Sequence, residues 1–324
     1  MTTDGPLGMS GPAFTVTTAL LAAATTLATA AVRNDYSQRL DALWNFEQPA
    51  RSEARFRAEA SRYPTRSREA NEATTQIARA LGLQRQFAEA DRALDTVKPA
   101  LARLPARVRV RYLLERGRRD NSSGNAPRAF AWFEQALAAS VDDTLPGADF
   151  YRVDALHMLA LAAPASRRVA WNLKALAAAD ASQDPRTRGW RASLLHNLGF
   201  AMHERGNDEA ALAYWQQALS AREAAHDVER TRIARWTVAR GLRALGRLEE
   251  AEAIQRRLAD EFAAANAPDG DVFEELAEIA FARGDHDAAR AWAAKALALL
   301  DDDVDSRTDE PGRRARLEAL AHPR

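Results

Sequence analysis

Residues His196–Leu219 read HNLGFAMHERGNDEAALAYWQQAL, and the small residues in that stretch decide the fold. Gly199 follows Leu198, Ala211 stands twelve residues later, and Ala218 seven after that. The same steps lead from Gly117 to Ala129 and Ala136, and from Ala277 to Ala289 and Ala296. Weaker copies run Ala78, Ala90, Val97 and Ala239, Ala251, Leu258. Gly124, Gly206, Gly246 and Gly284 each lie seven residues after the first small position. A glycine there, between two helical patterns, is the expected left-handed terminator of the first helix. Five copies at one spacing make the chain an array, and small residues in helices mark seams where elements approach closely.

Working outward, repeats begin near 71, 110, 149, 192, 232 and 270, a period of roughly 40 residues. The units are 71–109, 110–148, 149–191, 192–231, 232–269 and 270–300. The third is degenerate: Leu156, Met158 and Leu159, a turn at Ala163–Pro164–Ala165, then Trp171, Leu173 and Leu176. Before the array, over 35–70, Tyr36–Trp44 and Arg51–Arg62 read as a helical hairpin whose Trp44, Phe46 and Phe56 cover its open end. After Leu300 the acidic run 301–305 opposes a helix macrodipole and ends the last repeat. In the remainder of 301–324, Pro311–Ala321 forms the polar-faced cap such arrays require.

Composition agrees with an all-α fold. Ala, Leu, Glu and Arg dominate, and alternating Val, Ile and Thr are nearly absent. The 45 basic and 45 acidic residues cancel, so there is no global attraction to nucleic acid or anionic membrane. The chain has no Cys, which excludes disulfides, thiolate metal sites and Cys nucleophiles. Within 1–34, Ala13–Val32 carries no charge, and Ala28–Thr29–Ala30 has the small-x-small form of a signal cleavage site. The preceding region has Asp4 and no Lys or Arg, unlike a signal, and Ala and Thr insert weakly. No stable membrane span is expected: the protein is periplasmic or in the cell envelope if 13–32 is a signal, otherwise cytoplasmic.

Leu198, Gly199, Met202, Gly206, Ala211, Trp215 and Ala218 stand where the tetratricopeptide repeat (TPR) carries its motif residues. Phe273, Leu276, Ala277, Gly284, Ala289, Trp292 and Ala296 follow nearly as well. Over about 71–300 the chain resembles TPR proteins, and its long period is similar to kinesin light chains and many bacterial TPR proteins. The resemblance implies a TPR-like α-solenoid, a right-handed superhelix of antiparallel helix pairs, with Gly199 opposite Ala211. It also implies that Trp132, Trp171, Trp215 and Trp292 pack between helices, and that the first helices line a concave groove.

Reading the groove positions gives Arg79, Arg111, Arg118, His196, Phe200, His203, Trp236, Arg240 and Arg243, with Asn197 beside them. The last repeat contributes Glu274, Glu278 and Phe281. Trp236, Arg240 and Arg243 share one helical face, with Phe200 and His203 expected beside them. Arg mixed with aromatics suits a protein or peptide of acidic and apolar character, because Arg forks carboxylates and Trp anchors apolar side chains. A second feature is the basic run Arg103, Arg107, Arg109, Arg111, Arg116, Arg118 and Arg119 against Glu115 alone. It reads as a solvated face or a contact for an acidic partner, since a nucleic-acid binder would interleave aromatics.

Nothing points to catalysis. His196 and His203 lie seven apart without an i, i+4 metal partner, and HExxH, phosphate loops and nucleophile elbows are absent. The expected function is therefore a non-enzymatic scaffold or adaptor with no cofactor. The alternative is a regulatory sensor that binds a small signal or peptide and controls a partner protein.

Overall fold

Every regular element among the described residues is helical, as the composition dictates. The computed structural model describes residues 36–141, 145–302 and 312–322. The chain divides into two units at Ala148.

In the first unit a short helical stretch at 36–41 precedes α1 (Pro49–Ala60), α2 (Arg68–Leu83) and α3 (Phe87–Val97). A 3-10 turn (Lys98–Arg103), α4 (Ala106–Ser122) and α5 (Ala126–Ala139) follow. The second unit holds α6 (Ala148–Ala162), α7 (Ala165–Ala181), the one-turn α8 (Pro185–Arg188), α9 (Arg191–His203) and α10 (Asp208–Ala224). It continues with α11 (Val228–Ala244), α12 (Leu248–Ala264), α13 (Gly270–Ala282), α14 (His286–Asp302) and α15 (Arg313–Ala321). Successive helices pack as hairpins (α2 on α3, α4 on α5, α9 on α10, α11 on α12, α13 on α14). Within each unit neighbouring pairs meet, through α2 on α4 in the first and through α10 on α11 and α12 on α13 in the second. This is the TPR-like α-solenoid class. No helix among the described residues is long and apolar enough to cross a membrane, and the segment 13–32 lies outside them.

One turn, repeated, builds the hairpins. Gly206 has φ 72°, its N–H bonds to the His203 carbonyl, and the Asn207 N–H reaches back to Met202. That pair of bonds closes the helix end, and glycine adopts the left-handed conformation without a Cβ penalty. The Asn207 side chain then accepts from Ala210 N–H and starts α10. Gly124 with Asn125 and Gly284 with Asp285 repeat both halves of the device.

Packing adds an aromatic to the expected seam. A Cβ on Gly199 would lie 2.2 Å from Trp215 Nε1, and Trp215 shares a buried cluster with Ala211. Trp215 is fully buried and donates to the His196 carbonyl at 3.1 Å. In the α4–α5 hairpin the counterpart is Phe133, 2.2 Å from a Cβ on Gly117 and fully buried, and not Trp132. Trp132, Trp171 and Trp292 are only half-buried. Trp132 donates to Asp120 Oδ2, Trp171 lies under Arg167 and Lys174, and Trp292 stacks on Phe273. A buried indole needs an acceptor for its N–H, which Trp215 finds in the His196 carbonyl, while the half-buried rings keep polar, cationic or aromatic company. At the first end Phe56 is fully buried, but Phe46 is exposed and stacks on Trp44.

Candidate functional site

The first-unit arginines picked out by the groove pattern are already engaged. Arg79 lies 5.4 Å from both the Trp44 and Phe46 ring centroids. Arg111 is buried, bonded to Ser37 and Asp41 and beside Glu72, and Arg118 pairs with Glu115. The basic run of α4 is likewise met from within. Arg107 forks Glu72 at 2.7 and 2.9 Å, Arg116 holds Asp91 and Asp95, and Arg119 holds Asp91 and Asp120. Arg109 donates to the Leu104 carbonyl. Thus most of the face expected to be solvated, or to await an acidic partner, is an internal ion-pair network. Besides Glu115 and Asp120 of α4 itself, its acids come from α2, α3 and the 36–41 stretch, far away in sequence, which is why the run looked unbalanced.

In the second unit His196, Phe200 and His203 surround Trp215, with centroid separations of 5.0 Å from His196 to Phe200, 5.2 Å from Phe200 to Trp215 and 5.9 Å from His203 to Trp215. Burial first, and then the Arg222 guanidinium, hold the His196 pKa below the ordinary range, so it adds no charge near neutrality. His203 Nδ1 contacts Asp208 in the first turn of α10, and Asn197 contacts His157. His196, Phe200 and His203 thus form a packing cluster around one indole.

A different set forms a cleft. Trp236, Arg240 and Arg243 of α11 face Asp271, Glu274, Glu275 and Glu278 of α13, with Arg313 of α15 alongside, around about 380 Å³. Phe200 and His203, expected beside Trp236, do not line it. Spacing does bring Trp236, Arg240 and Arg243 together with Glu274 and Glu278. It gives no warning of α15, whose Arg313 contacts Asp271 and Glu274 and whose Arg316 forks Glu278 at 2.8 and 2.9 Å. Phe281, the last groove position, lies under that same Arg316. The only hint in the sequence is that Arg313 and Arg316 are three apart, on one helical face.

Charge in the cleft is nearly spent. Three guanidiniums face four carboxylates. Arg243 forks Glu275 at 2.5 and 3.2 Å. Burial opposes its charge, but Glu275 and its acidic neighbours outweigh that and hold its pKa above the ordinary value. At Glu278, burial opposes ionisation while the bond from Arg316 prevails and lowers the pKa. Arg240 differs: its guanidinium lies 5.5 Å from the Trp236 centroid, and its buried Nε has no hydrogen-bond acceptor. Trp236 is half-buried and donates Nε1–H to the Asp271 carbonyl at 3.1 Å, which fixes the indole. The arrangement offers an oriented aromatic ring and, in Arg240, a cation with no ion pair among the described residues.

Comparison with known proteins supports the repeat assignment. The Tetratricopeptide repeat family model matches residues 190–260. Comparison with curated proteins finds no match. Among solved structures, a putative kinesin light chain with nearly identical TPR-like repeats from Podosopora anserina is 21% identical, with TM-score 0.51 over 60% of this chain and 95% of that one. The apo form of RapI is 10% identical, with TM-score 0.66 over 89% of this chain and 80% of that one. A Rap protein complexed with Competence and Sporulation Factor is 12% identical, with TM-score 0.60 over 89% and 84%. At such identities the likeness is one of fold. Over residues 190–260 the chain matches the tetratricopeptide repeat, and its fold is that of the kinesin-light-chain-like repeat structures.

Proposed function

We propose that this chain of tetratricopeptide repeats is a non-enzymatic scaffold or adaptor that binds a peptide or protein segment in the cleft over Trp236. The observation that carries the reading is Arg240, whose buried Nε lacks an acceptor while the neighbouring arginines hold carboxylates. A ligand carboxylate would balance the Arg240 guanidinium charge from the cleft, with an apolar side chain on the Trp236 ring. Desolvated aromatic anchors and forked Arg–carboxylate contacts are the common hot spots of such recognition. The regulatory-sensor alternative draws support from Arg313, which puts α15 in the wall of the same cleft, so occupancy reaches a helix that follows the last repeat.

The test is selection of a displayed random peptide library on the full-length protein. Peptides carrying Asp or Glu beside an aromatic or aliphatic residue should be enriched, and Trp236→Ala should lose them while circular dichroism stays helical. Equal enrichment by parent and Trp236→Ala would place binding elsewhere.

A further inference from the structure

The first unit holds a larger cavity, of about 560 Å³, that the groove positions do not touch. Its apolar lining includes Tyr36, Tyr63, Leu104, Pro105, Leu145 and Pro146. Tyr36 and Tyr63 meet edge to face at 5.4 Å, and Tyr36, Leu104 and Leu145 are buried, so this side is rigid. Arg39, Arg68, Arg103 and Arg107 stand around it against only two carboxylates, Glu69 and Glu72.

Those two acids are already held. Glu72 is buried and forked by Arg107, with Arg111 behind it, and Glu69 is paired with Arg68. The Tyr36 hydroxyl donates to the Glu69 carbonyl at 2.8 Å. Burial first, and then the Glu72 carboxylate, push its pKa up, so the phenol stays neutral. Arg103 is the residue left over: it is exposed, lines the cavity, and has no ion pair among the described residues. Beside it α4 begins at Ala106, and its N-cap Pro105 supplies no side-chain acceptor, so the positive end of that helix adds to the same field.

A cavity of this size with an aromatic floor and a few convergent polar groups is the form of a small-molecule site, not of an extended peptide groove. We infer that the first unit binds a small ring-bearing organic anion, its ring against Tyr36 and Tyr63 and its carboxylate or phosphate on Arg103 and Arg39. This site shares no lining residue with the Trp236 cleft and does not depend on it. Guanidinium forks suit carboxylate and phosphate alike, so the ring and the negative charge define the class.

The test uses anilinonaphthalene sulfonate, a ring-bearing anion whose fluorescence rises in apolar surroundings, with the full-length protein. Saturable binding is expected, with Kd raised at least about tenfold in Arg103→Glu, since that exchange reverses the charge the anion meets. Arg39→Ala should weaken binding in the same direction, and Trp236→Ala should leave it unchanged. Unaltered melting of Arg103→Glu shows that the loss is local. Displacement by phenylacetate but not phenyl phosphate assigns the site to carboxylates, and the reverse assigns it to phosphate esters. Displacement by inorganic phosphate alone as effectively as by either ring compound would overturn the ring-binding role. Absence of probe binding, an unchanged Kd in both arginine variants, or loss in Trp236→Ala instead would overturn the site itself.

Discussion

The indole of Trp215 occupies the space that a side chain on Gly241 would need: a Cβ there would lie 2.9 Å from Trp215 Cε3. Gly199 clears the other end of the ring, so one tryptophan of α10 is seated between glycines of α9 and α11. The seam between consecutive repeats is thus a ring-shaped slot, and its smallness belongs to the ring.

Two effects compete when a methyl group is added at such a position. Replacing a helical Gly by Ala gains roughly 0.5–1 kcal/mol of backbone entropy. Overpacking a full core costs roughly 1–3 kcal/mol. At Gly199 the contact is with a fully buried ring that cannot swing aside, so packing wins and Gly199→Ala should lower the urea midpoint. At Gly82, also in a helix, nothing lies within 4 Å of a Cβ, so entropy wins and Gly82→Ala should raise it. The same sign for both substitutions would show that the slot is not tight.

Arg85 tests the turn. It stands seven residues after Ala78, has φ 59°, and makes the same two back-bonds as the glycines, through its own N–H to Gly82 and through Gln86 to Leu81. A left-handed conformation costs an L-residue roughly 1–2 kcal/mol and costs glycine almost nothing steric. Glycine's greater freedom in the unfolded chain returns part of that gain. Arg85→Gly should therefore stabilise the protein by about 1 kcal/mol in denaturant unfolding. A lower midpoint would mean that the Arg85 side chain contributes more than its backbone costs.

These positions show why the fold was legible and the site only partly so. The +7 terminator and the small residues obey local backbone and steric rules, so they survive in the sequence even where Arg85 replaces glycine. The partner of each small residue is set by a neighbouring helix. That is why Trp132, one residue from the Phe133 that fills the seam, looked like core. Charge was least legible, because a guanidinium such as Arg111 or Arg243 finds its carboxylate 30 or more residues away on another helix. Arg240 stood in the groove pattern, but nothing in the sequence separated it from the paired arginines around it.

His196 makes stability depend on pH. Its folded pKa lies below the ordinary value near 6.5, through burial first and the Arg222 charge second. The unfolded chain therefore takes up the proton first on acidification. The stability this group contributes is full above about pH 6.5 and falls as pH drops toward the folded pKa. His196→Gln removes that dependence, so its urea midpoint should fall less than the parent's between pH 7.5 and 5.5. Equal losses in the two proteins would assign the acid sensitivity to other groups.

Arg240 and Arg243 are one turn apart on α11, and the structure gives them different surroundings. Arg243 forks Glu275, whose side chain is only 4% exposed, so Arg243→Ala leaves a buried carboxylate without its cation. Breaking such a pair from one side costs roughly 3–5 kcal/mol, so this variant should lose much of its stability before any question of binding arises. Arg240 has no carboxylate to abandon, and Arg240→Ala should change the unfolding midpoint by no more than about 0.5 kcal/mol, as for an ordinary surface substitution. On a peptide selected by the parent the order reverses. Arg240→Ala should weaken binding at low salt and differ less from the parent as salt rises, because screening removes the attraction the parent retains. Measured at two salt concentrations, an Arg240→Ala affinity equal to the parent's in both would show that the peptide carboxylate does not rest on Arg240. The Trp236 ring would then remain as the anchor, with no charge partner in the cleft.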